Sequence, residues 1–187
     1  MFHKIDHTKK NLSQKSFLVY GLGASGVSVL NYLKKKKFTK FYVWDDNAKL
    51  RKKFFSKDTQ NLKSIIKFVD YIVLSPGISL RKTKHKKLLA RYKMKIITDI
   101  DLLYLSNFKF KSIVVTGSNG KSTTCKIISH LLKVNKFKVK LGGNIGTPVL
   151  NLKIKNNDYL VIEASSFQLA HSKHINPEYG ILLNISN

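Results

Sequence analysis

Short apolar runs separated by polar, glycine-containing segments recur along the whole chain. Four of these runs lie at 17–20, 41–44, 71–74 and 112–115. Runs this short with apolar residues on both faces are typical of buried parallel strands. The pattern predicts an α/β protein with mostly parallel sheets. Further strands are predicted at 95–97, 138–141, 159–162 and 179–183.

Helices are predicted between these strands. An apolar segment at 27–33 follows the first strand, and a lysine-rich segment at 81–92 follows the third. Thr98 is a suitable N-cap for a short helix that continues to Leu105. Strands and helices therefore alternate, as they do in βαβ units. After 112–115, apolar side chains recur at helical spacing, at Cys125, Ile128, Leu131 and Leu132.

The polar segment between strand 112–115 and this last helix is suited to holding a polyphosphate. Its glycines let backbone N–H groups turn toward an anion, and the helix start adds about half a positive charge from its dipole. Lys121 can reach phosphate oxygens, while the hydroxyl of Ser122 or Thr123 can ligate Mg²⁺. We predict an ATP site formed by Gly117, Ser118, Asn119, Gly120, Lys121, Ser122 and Thr123.

This segment departs from the usual phosphate-loop pattern. That pattern places its first glycine where this chain has Val115, so only the Gly-Lys-Ser core matches. A glycine turn that caps an ordinary helix with an exposed lysine is the alternative interpretation.

A second glycine-rich turn, at 21–26, joins strand 17–20 to the first helix and has the Gly-x-Gly-x-x-Gly spacing of nucleotide-binding units. The strand at 41–44 ends in Asp45 and Asp46, where a carboxylate would face a ribose hydroxyl or a base edge. The first half of the chain alone suggests an NAD-dependent oxidoreductase. However, it is not followed by a group of catalytic residues that would face a nicotinamide ring. The Ser-Pro-Gly turn at 75–77 is either a ligand-facing turn at the carboxyl edge of the sheet or a tight surface turn.

Two polar positions follow the strands of the second half. Asn144 lies in a glycine-rich segment at 142–146 that brings the backbone close to a ligand or forms a structural turn. Glu163 ends the strand beside the phosphate segment, where a second Mg²⁺ ligand belongs. His171 and His174 lack partner ligands, so exposed surface is the preferred interpretation.

Composition adds limits on compartment and partners. The 187 residues have 43% hydrophobic content and a formal net charge of +25. The excess is almost all lysine, which favours solvated faces over a nucleic-acid partner. The single cysteine, Cys125, excludes an internal disulfide and is expected to be a packing residue. The sequence has no apolar run of membrane-spanning length. We therefore expect a cytoplasmic location and no insertion into a membrane.

The segments Thr-Gly-Ser-Asn-Gly-Lys-Ser-Thr at 116–123, Gly-Gly-Asn-Ile-Gly at 142–146 and Glu-Ala-Ser-Ser-Phe-Gln-Leu at 163–169 resemble the ATPase domain of the Mur ligase family. The turns at 21–26 and 75–78 and Thr-Asp-Ile-Asp at 98–101 narrow the resemblance to members that add D-glutamate. The resemblance spans nearly the whole chain.

The resemblance implies two domains. Residues 1–107 would form a Rossmann-like UDP-substrate-binding domain, and 108–187 the amino-terminal part of a P-loop-type ATPase domain, which is incomplete here. The catalytic residue would be Lys121, with Ser122 and Glu163 as ligands of Mg²⁺. Substrate would be bound by Ala24, Ser25, Asp45, Asp46, Gly77, Asn144, Ser165 and Gln168.

The resemblance also implies a reaction. ATP would phosphorylate the carboxylate of UDP-N-acetylmuramoyl-L-alanine, and the amine of D-glutamate would attack the acyl phosphate. Family members continue past the segment 184–187 into a metal-ligating histidine, a carbamylated lysine and a third domain. We therefore expect this chain, as a monomer, to bind UDP-type ligands and nucleotide without completing ligation. The alternatives are a non-catalytic nucleotide-binding remnant and a basic nucleic-acid-binding protein.

Overall fold

Two four-stranded parallel sheets form the framework of the protein. The computed structural model describes residues 12–54, 61–106, 108–144 and 146–186. All pairings in both sheets are parallel, which confirms the prediction of an α/β protein. The strands are β1 (Phe17–Tyr20), β2 (Phe41–Trp44), β3 (Tyr71–Leu74), β4 (Ile96–Ile97), β5 (Lys111–Thr116), β6 (Val139–Gly143), β7 (Tyr159–Glu163) and β8 (Tyr179–Leu182).

The first sheet has the strand order β2-β1-β3-β4. In β1 every residue is buried, because helices cover both faces of a parallel sheet. β1 pairs with β2 on one side and β3 on the other, so Tyr20 lies level with Trp44 and Leu74. The turns that follow these three strands therefore meet at one edge of the sheet.

The second sheet has the order β6-β7-β5-β8. Its central strands are apolar, and Val114, Val115, Val161 and Ile162 are nearly inaccessible to solvent. The register places Val115 beside Glu163, and Thr116 beside Leu182. The carboxyl ends of β5, β7 and β8 are consequently neighbours.

Seven α-helices connect the strands within the described ranges. They are α1 (Ala24–Lys35), α2 (Ala48–Lys52), α3 (Leu62–Phe68), α4 (Lys86–Arg91), α5 (Asp99–Tyr104), α6 (Lys121–Val134) and α7 (Ser166–His171). None of the helices that the structure describes is both long enough and apolar enough to cross a membrane.

The lysine-rich helix predicted at 81–92 is shorter than expected, since only Lys86–Arg91 is helical. Thr83 explains the difference. Its hydroxyl donates to Asp46 at 2.6 Å and accepts from the N–H of His85 at 3.3 Å. Side-chain bonds of this kind compete with the helical backbone ladder, so the helix begins only after His85.

Contacts between α5 and α7 join the two sheets. Thr98 is the N-cap of α5, as predicted, and both Thr98 and Ser165 form capping boxes at the start of their helices. The side-chain amide of Gln168 in α7 donates to Asp99 in α5 at 3.0 Å. Phe167 packs against the core of the first sheet. The predicted domain boundary at 107/108 stays a prediction, and Asn107 lies outside the described residues.

Candidate nucleotide and substrate sites

The segment between β5 and α6 forms a tight loop over residues 117–120. Gly117 and Gly120 have φ angles of 147° and 80°, in the region that residues with a side chain rarely adopt. Gly120 is the N-cap of α6 and provides no side chain for capping. The backbone must therefore change direction within the loop, and the first turn of α6 lacks the usual side-chain acceptor.

Four consecutive N–H groups at this helix start have no acceptor in the described part of the chain. They belong to Gly120, Lys121, Ser122 and Thr123. The first N–H groups of an α-helix have no intrahelical partner, and together with the helix dipole they favour an anion. The loop thus has the donors that a phosphate group requires.

The Lys121 side chain lies over this loop. Its ammonium group donates to the carbonyl oxygens of Gly117 at 2.6 Å and Ser118 at 2.8 Å. The charge is half-buried beside the unpaired N–H groups rather than directed into bulk solvent. A cation held at this place complements the negative charge of a bound polyphosphate.

Ser122 and Glu163 form a pair of oxygen ligands beside the loop. The Ser122 hydroxyl donates to the Glu163 carboxylate at 2.8 Å. Glu163 is 2% exposed at the end of β7, next to β5. Thr123 has the other hydroxyl predicted as a candidate for the metal, but it is exposed and makes no side-chain hydrogen bond within the described chain. Because Mg²⁺ prefers oxygen ligands, the Ser122–Glu163 pair fits this ion.

Asn144 lies beside this pair. Its backbone N–H donates to the carbonyl oxygen of Glu163 at 2.8 Å, and its side chain is exposed. The glycine-rich segment therefore places the backbone of Asn144 against the end of β7, where Glu163 lies.

Ser165 and Gln168 lie immediately beyond Glu163. The Gln168 amide oxygen accepts from the N–H and the hydroxyl of Ser165, while its amide nitrogen donates to Asp99. Gln168 is fully buried, and Ser165 is half-buried. In this arrangement Gln168 orients Ser165, and only Ser165 is accessible to a ligand.

The glycine-rich turn after β1 is fixed by the residues that follow β2 and β3. Asp45 accepts from the N–H groups of Leu22 at 2.7 Å and Asn47 at 2.8 Å. The Ser75 hydroxyl donates to the Gly21 carbonyl at 2.7 Å. The N–H groups of Ala24 and Ser25, at the start of α1, have no acceptor in the described chain, and Gly77 is exposed nearby on the Ser-Pro-Gly turn.

Asp46 forms a hydrogen-bonded cluster at the same edge. Its carboxylate accepts from Tyr20 at 2.6 Å, Thr83 at 2.6 Å and Trp44 at 3.3 Å. Burial acts to raise the pKa of this carboxyl, but the bonds from Thr83 and Tyr20 hold the pKa below its usual value. Asp45 and Asp46 thus bind mainly to the protein's own groups.

Cys125 is a packing residue, as predicted. It is fully buried, and burial raises the pKa of its thiol to about 11, with a further contribution from the charge of Glu163. Such a thiol is a poor nucleophile at neutral pH.

The prediction that His171 and His174 are exposed is wrong. Both residues are half-buried. The His171 ring packs on Phe167 with the ring centroids 4.5 Å apart, and the backbone N–H of His174 donates to Asp101 at 2.6 Å. The described residues contain no group of three His, Cys, Asp or Glu side chains that could hold a metal ion.

Several contacts of the sites have no signal in the sequence pattern. The pattern predicts a helix that includes Thr83, although Thr83 is a partner of Asp46. Asp99 has no sequence signal beyond the segment 98–101, although it is the partner of Gln168. Asn184 follows the predicted strand at 179–183 without a motif of its own, although it bonds to the loop at 117–120. These partners are separated by 37 or more positions in the chain. Such contacts depend on the fold, so they leave no local pattern in the sequence.

Comparison with known proteins identifies the family. The family model described as "Mur ligase MurD-like, N-terminal domain" matches residues 15–98, and the one described as "Mur ligase middle domain" matches 115–187. Together the two matches take in most of the chain.

Curated relatives agree with these matches. The chain is 41% identical over 178 residues to the UDP-N-acetylmuramoylalanine–D-glutamate ligase of Wolbachia pipientis wMel, covering 90% of this chain and 34% of the relative. It is 38% identical over 173 residues to the enzyme of that name from Rickettsia prowazekii (strain Madrid E), covering 90% of this chain and 38% of the relative. The chain thus spans less than half the length of these relatives.

A solved structure has a similar fold. The UDP-N-acetylmuramate:L-alanyl-gamma-D-glutamyl-meso-diaminopimelate ligase from Neisseria meningitides matches with a TM-score of 0.51 at 15% identity. The match covers 92% of this chain and 61% of that structure. Two matching domain models and relatives near 40% identity along almost all of its residues show that this chain belongs to the Mur ligase family.

Proposed function

We propose that this chain is part of an ATP-dependent ligase that adds D-glutamate to UDP-N-acetylmuramoyl-L-alanine in peptidoglycan synthesis. The relatives that it resembles at 38–41% identity bear the name of this activity. The proposed domains are a Rossmann-like UDP-binding domain at 1–107 and the amino-terminal part of a P-loop-type ATPase domain at 108–187. The proposed location is the cytoplasm, where ATP is available.

The observation that carries the proposal is the arrangement at the phosphate loop. Four N–H groups without acceptors, the Lys121 ammonium group and the Ser122–Glu163 pair lie at the ends of two adjacent strands. Phosphoryl transfer requires positioned cations and donors around the transferred group more than it requires covalent chemistry. This set of residues provides them.

In the proposed reaction a substrate carboxylate oxygen attacks the γ-phosphorus of ATP, and ADP leaves. The amine of D-glutamate then attacks the acyl carbon, loses a proton and displaces phosphate to form the amide. Lys121 would leave its two carbonyl acceptors to donate to phosphate oxygens, which makes it the proposed catalytic residue. Ser122 and Glu163 would hold Mg²⁺, which neutralises charge developing on the phosphoryl group.

The substrate would extend from the second sheet to the first. Asn144 and Ser165 lie beside Glu163, so they are proposed to line the route to the reacting carboxylate, with Gln168 orienting Ser165. At the first sheet, the free N–H groups of Ala24 and Ser25 suit the UDP diphosphate. Asp45, Asp46 and Gly77 would then shape the nucleoside side of that site.

The chain aligns with 32–40% of the length of its curated relatives. We therefore expect these 187 residues, as a monomer, to bind nucleotide without completing ligation. A nucleotide-binding protein without ligase activity is the second candidate. The unbonded N–H groups at 24–25 and at 120–123 support nucleotide binding equally well for both candidates.

Binding of MgATP to the 187-residue chain tests the proposed site. Lys121→Ala removes the cation that is proposed to contact the phosphates, so the dissociation constant measured by calorimetry should rise about 10- to 100-fold. Lys133→Ala is the matched control, since Lys133 is in the last turn of the same helix and its loss changes the net charge equally.

An equal effect of both substitutions would indicate nonspecific attraction between a polyanion and a protein of charge +25, and would overturn the proposed site. Ligase turnover by this chain alone would instead contradict the expectation that it only binds.

A further inference from the structure

Asn184 lies directly after β8 and contacts the phosphate loop with its backbone and its side chain. Its carbonyl oxygen accepts from the N–H of Ser118 at 3.0 Å. Its side-chain oxygen accepts from the N–H of Asn119 at 2.9 Å, and its side-chain nitrogen donates to the Asn119 carbonyl at 3.1 Å. One asparagine therefore pairs with both backbone groups of a loop residue, as a neighbouring strand would.

The strand register explains why Asn184 reaches the loop. β8 pairs with β5, and the ladder continues where the N–H of Leu183 donates to the Thr116 carbonyl at 3.0 Å. The chain after β8 therefore runs alongside the loop that follows β5. A further bond from the Ser186 N–H to the Ser118 hydroxyl, at 2.9 Å, extends this contact.

The approach is close enough to determine a residue of the loop. A Cβ atom at Gly117 would lie 3.2 Å from both the nitrogen and the oxygen of the Asn184 backbone, and the Gly117 φ angle of 147° already disfavours a side chain. The loop is consequently shaped against Asn184 and not by its own sequence alone.

The contacts divide the N–H groups of residues 118–123 into two sets. Those of Ser118 and Asn119 are bonded to Asn184, whereas those of Gly120, Lys121, Ser122 and Thr123 have no acceptor in the described chain. Donors already bonded within the protein are not available to a phosphate group. The N–H groups of 120–123 are therefore the ones available to an anion, and those of Ser118 and Asn119 anchor the loop to Asn184.

We propose that Asn184 is a positioning residue of the nucleotide site, which holds the loop so that the four N–H groups of 120–123 converge on a polyphosphate. The inference rests on the proposed function of the loop and goes beyond it, because it gives Asn184 a role through its bonds to Ser118 and Asn119. Preorganised donors bind more tightly because the loop need not be ordered when the ligand arrives.

The test compares the 187-residue chain with Asn184→Ala, in which both side-chain bonds to Asn119 are lost. The dissociation constant of MgATP should rise roughly tenfold. Asn135→Ala is the matched control, because Asn135 is also exposed and its side chain also bonds to a backbone carbonyl, that of Leu131, at the opposite end of α6. Its affinity should be unchanged.

Amide hydrogen exchange measured by NMR without nucleotide separates positioning from general destabilisation. In Asn184→Ala the Asn119 N–H loses its acceptor and should exchange faster, while the Ser118 N–H keeps the backbone acceptor and should not change. Equal acceleration along β5 and α6 would indicate global destabilisation and would overturn the inference.

The outcomes also distinguish the inference from the proposed function. Failure of the unsubstituted chain to bind MgATP would overturn the proposed function, and the inference with it. Tight binding by the unsubstituted chain and by Asn184→Ala, with equal dissociation constants, would overturn the inference alone.

Discussion

At the scale of single residues, the pair formed by Ser122 and Glu163 bears on a choice that the sequence leaves open, namely which hydroxyl would bind Mg²⁺. Both Ser122 and Thr123 have hydroxyl groups suited to Mg²⁺, but only Ser122 bonds to the buried carboxylate of Glu163. Adjacent residues near the start of a helix project about 100° apart, so the two hydroxyls cannot face the same ligand. The helix geometry therefore favours Ser122 over Thr123 as the proposed ligand of Mg²⁺.

This selection predicts how Mg²⁺ should affect nucleotide affinity. In Ser122→Ala the carboxylate of Glu163 loses its hydroxyl partner, so the increase in ATP affinity caused by Mg²⁺ should fall roughly tenfold. In Thr123→Ala that increase should be retained. Calorimetric titration of ATP with Mg²⁺ and with EDTA measures the increase for each protein. The opposite ranking of the two variants would assign the metal to Thr123.

At the scale of elements, the glycine-rich turn after β1 sets the position of α1. A Cβ atom at Gly26 would lie 1.8 Å from the Gly21 carbonyl oxygen, which is closer than any two such atoms can approach. The same carbonyl accepts from the Ser75 hydroxyl. The helix therefore packs against the turn only because residue 26 lacks a side chain, and the Ala24 and Ser25 N–H groups stay next to the turn.

Substitution of this glycine should separate the helix from the turn. Gly26→Ala should lower the free energy of unfolding by roughly 2–3 kcal/mol, because backbone atoms must move to accommodate one methyl group. Gly23→Ala is the control, since nothing lies within 4 Å of a Cβ at that position. Its effect should be below about 1 kcal/mol, as for an N-cap glycine replaced by alanine. Urea denaturation measures both, and equal effects would contradict the packing argument.

At the scale of the whole molecule, buried polar contacts between α5 and α7 connect the two sheets. Asp99 is 1% exposed, and one of its carboxylate oxygens accepts from Gln168 while the other has no partner within the described residues. Asp101 accepts from the N–H groups of Lys173 and His174. The position of Gln168, and through it Ser165, therefore depends on the part of the chain that precedes the second sheet.

The burial of Asp99 predicts a pH dependence of stability. Desolvation raises the pKa of Asp99 above its unfolded value of about 3.9, and the bond from Gln168 only partly opposes this. A raised pKa contributes stability that is fully present below the unfolded pKa and lost as pH rises through the folded pKa. Asp99→Asn lacks this loss, so its unfolding free energy relative to the unsubstituted protein should increase as the pH rises above the unfolded pKa of about 3.9.

The increase should be about 1.4 kcal/mol for each unit of difference between the folded and unfolded pKa values. Urea denaturation across this pH range measures it. Asp70→Asn is the control. Burial acts to raise the Asp70 pKa, but bonds from Ser16 and Lys15 lower it, so its contribution changes only below about pH 4. A flat pH dependence for Asp99→Asn would contradict the assigned pKa direction.

The sequence by itself determined the strands, most of the helices and the positions of the glycine-rich turns. Apolar runs such as 17–20 and 159–162 form strands as predicted, because a run buried on both faces has few alternatives to a central parallel strand. The glycine-rich turns follow β1 and β5, and Glu163 lies at the end of a strand next to β5. Local patterns suffice for these features because the residues that encode each one are adjacent in the chain.

Only the tertiary structure decided which side chains meet. The pairing of β5 with β8 brings Asn184 to the phosphate loop, and the packing of α7 on α5 brings Gln168 to Asp99. The bond between Thr83 and Asp46 likewise replaces the first turn of a predicted helix. These partners are 37 to 69 positions apart. Contacts over such separations depend on strand order and register, which are properties of the whole fold, and so no stretch of sequence could specify them alone.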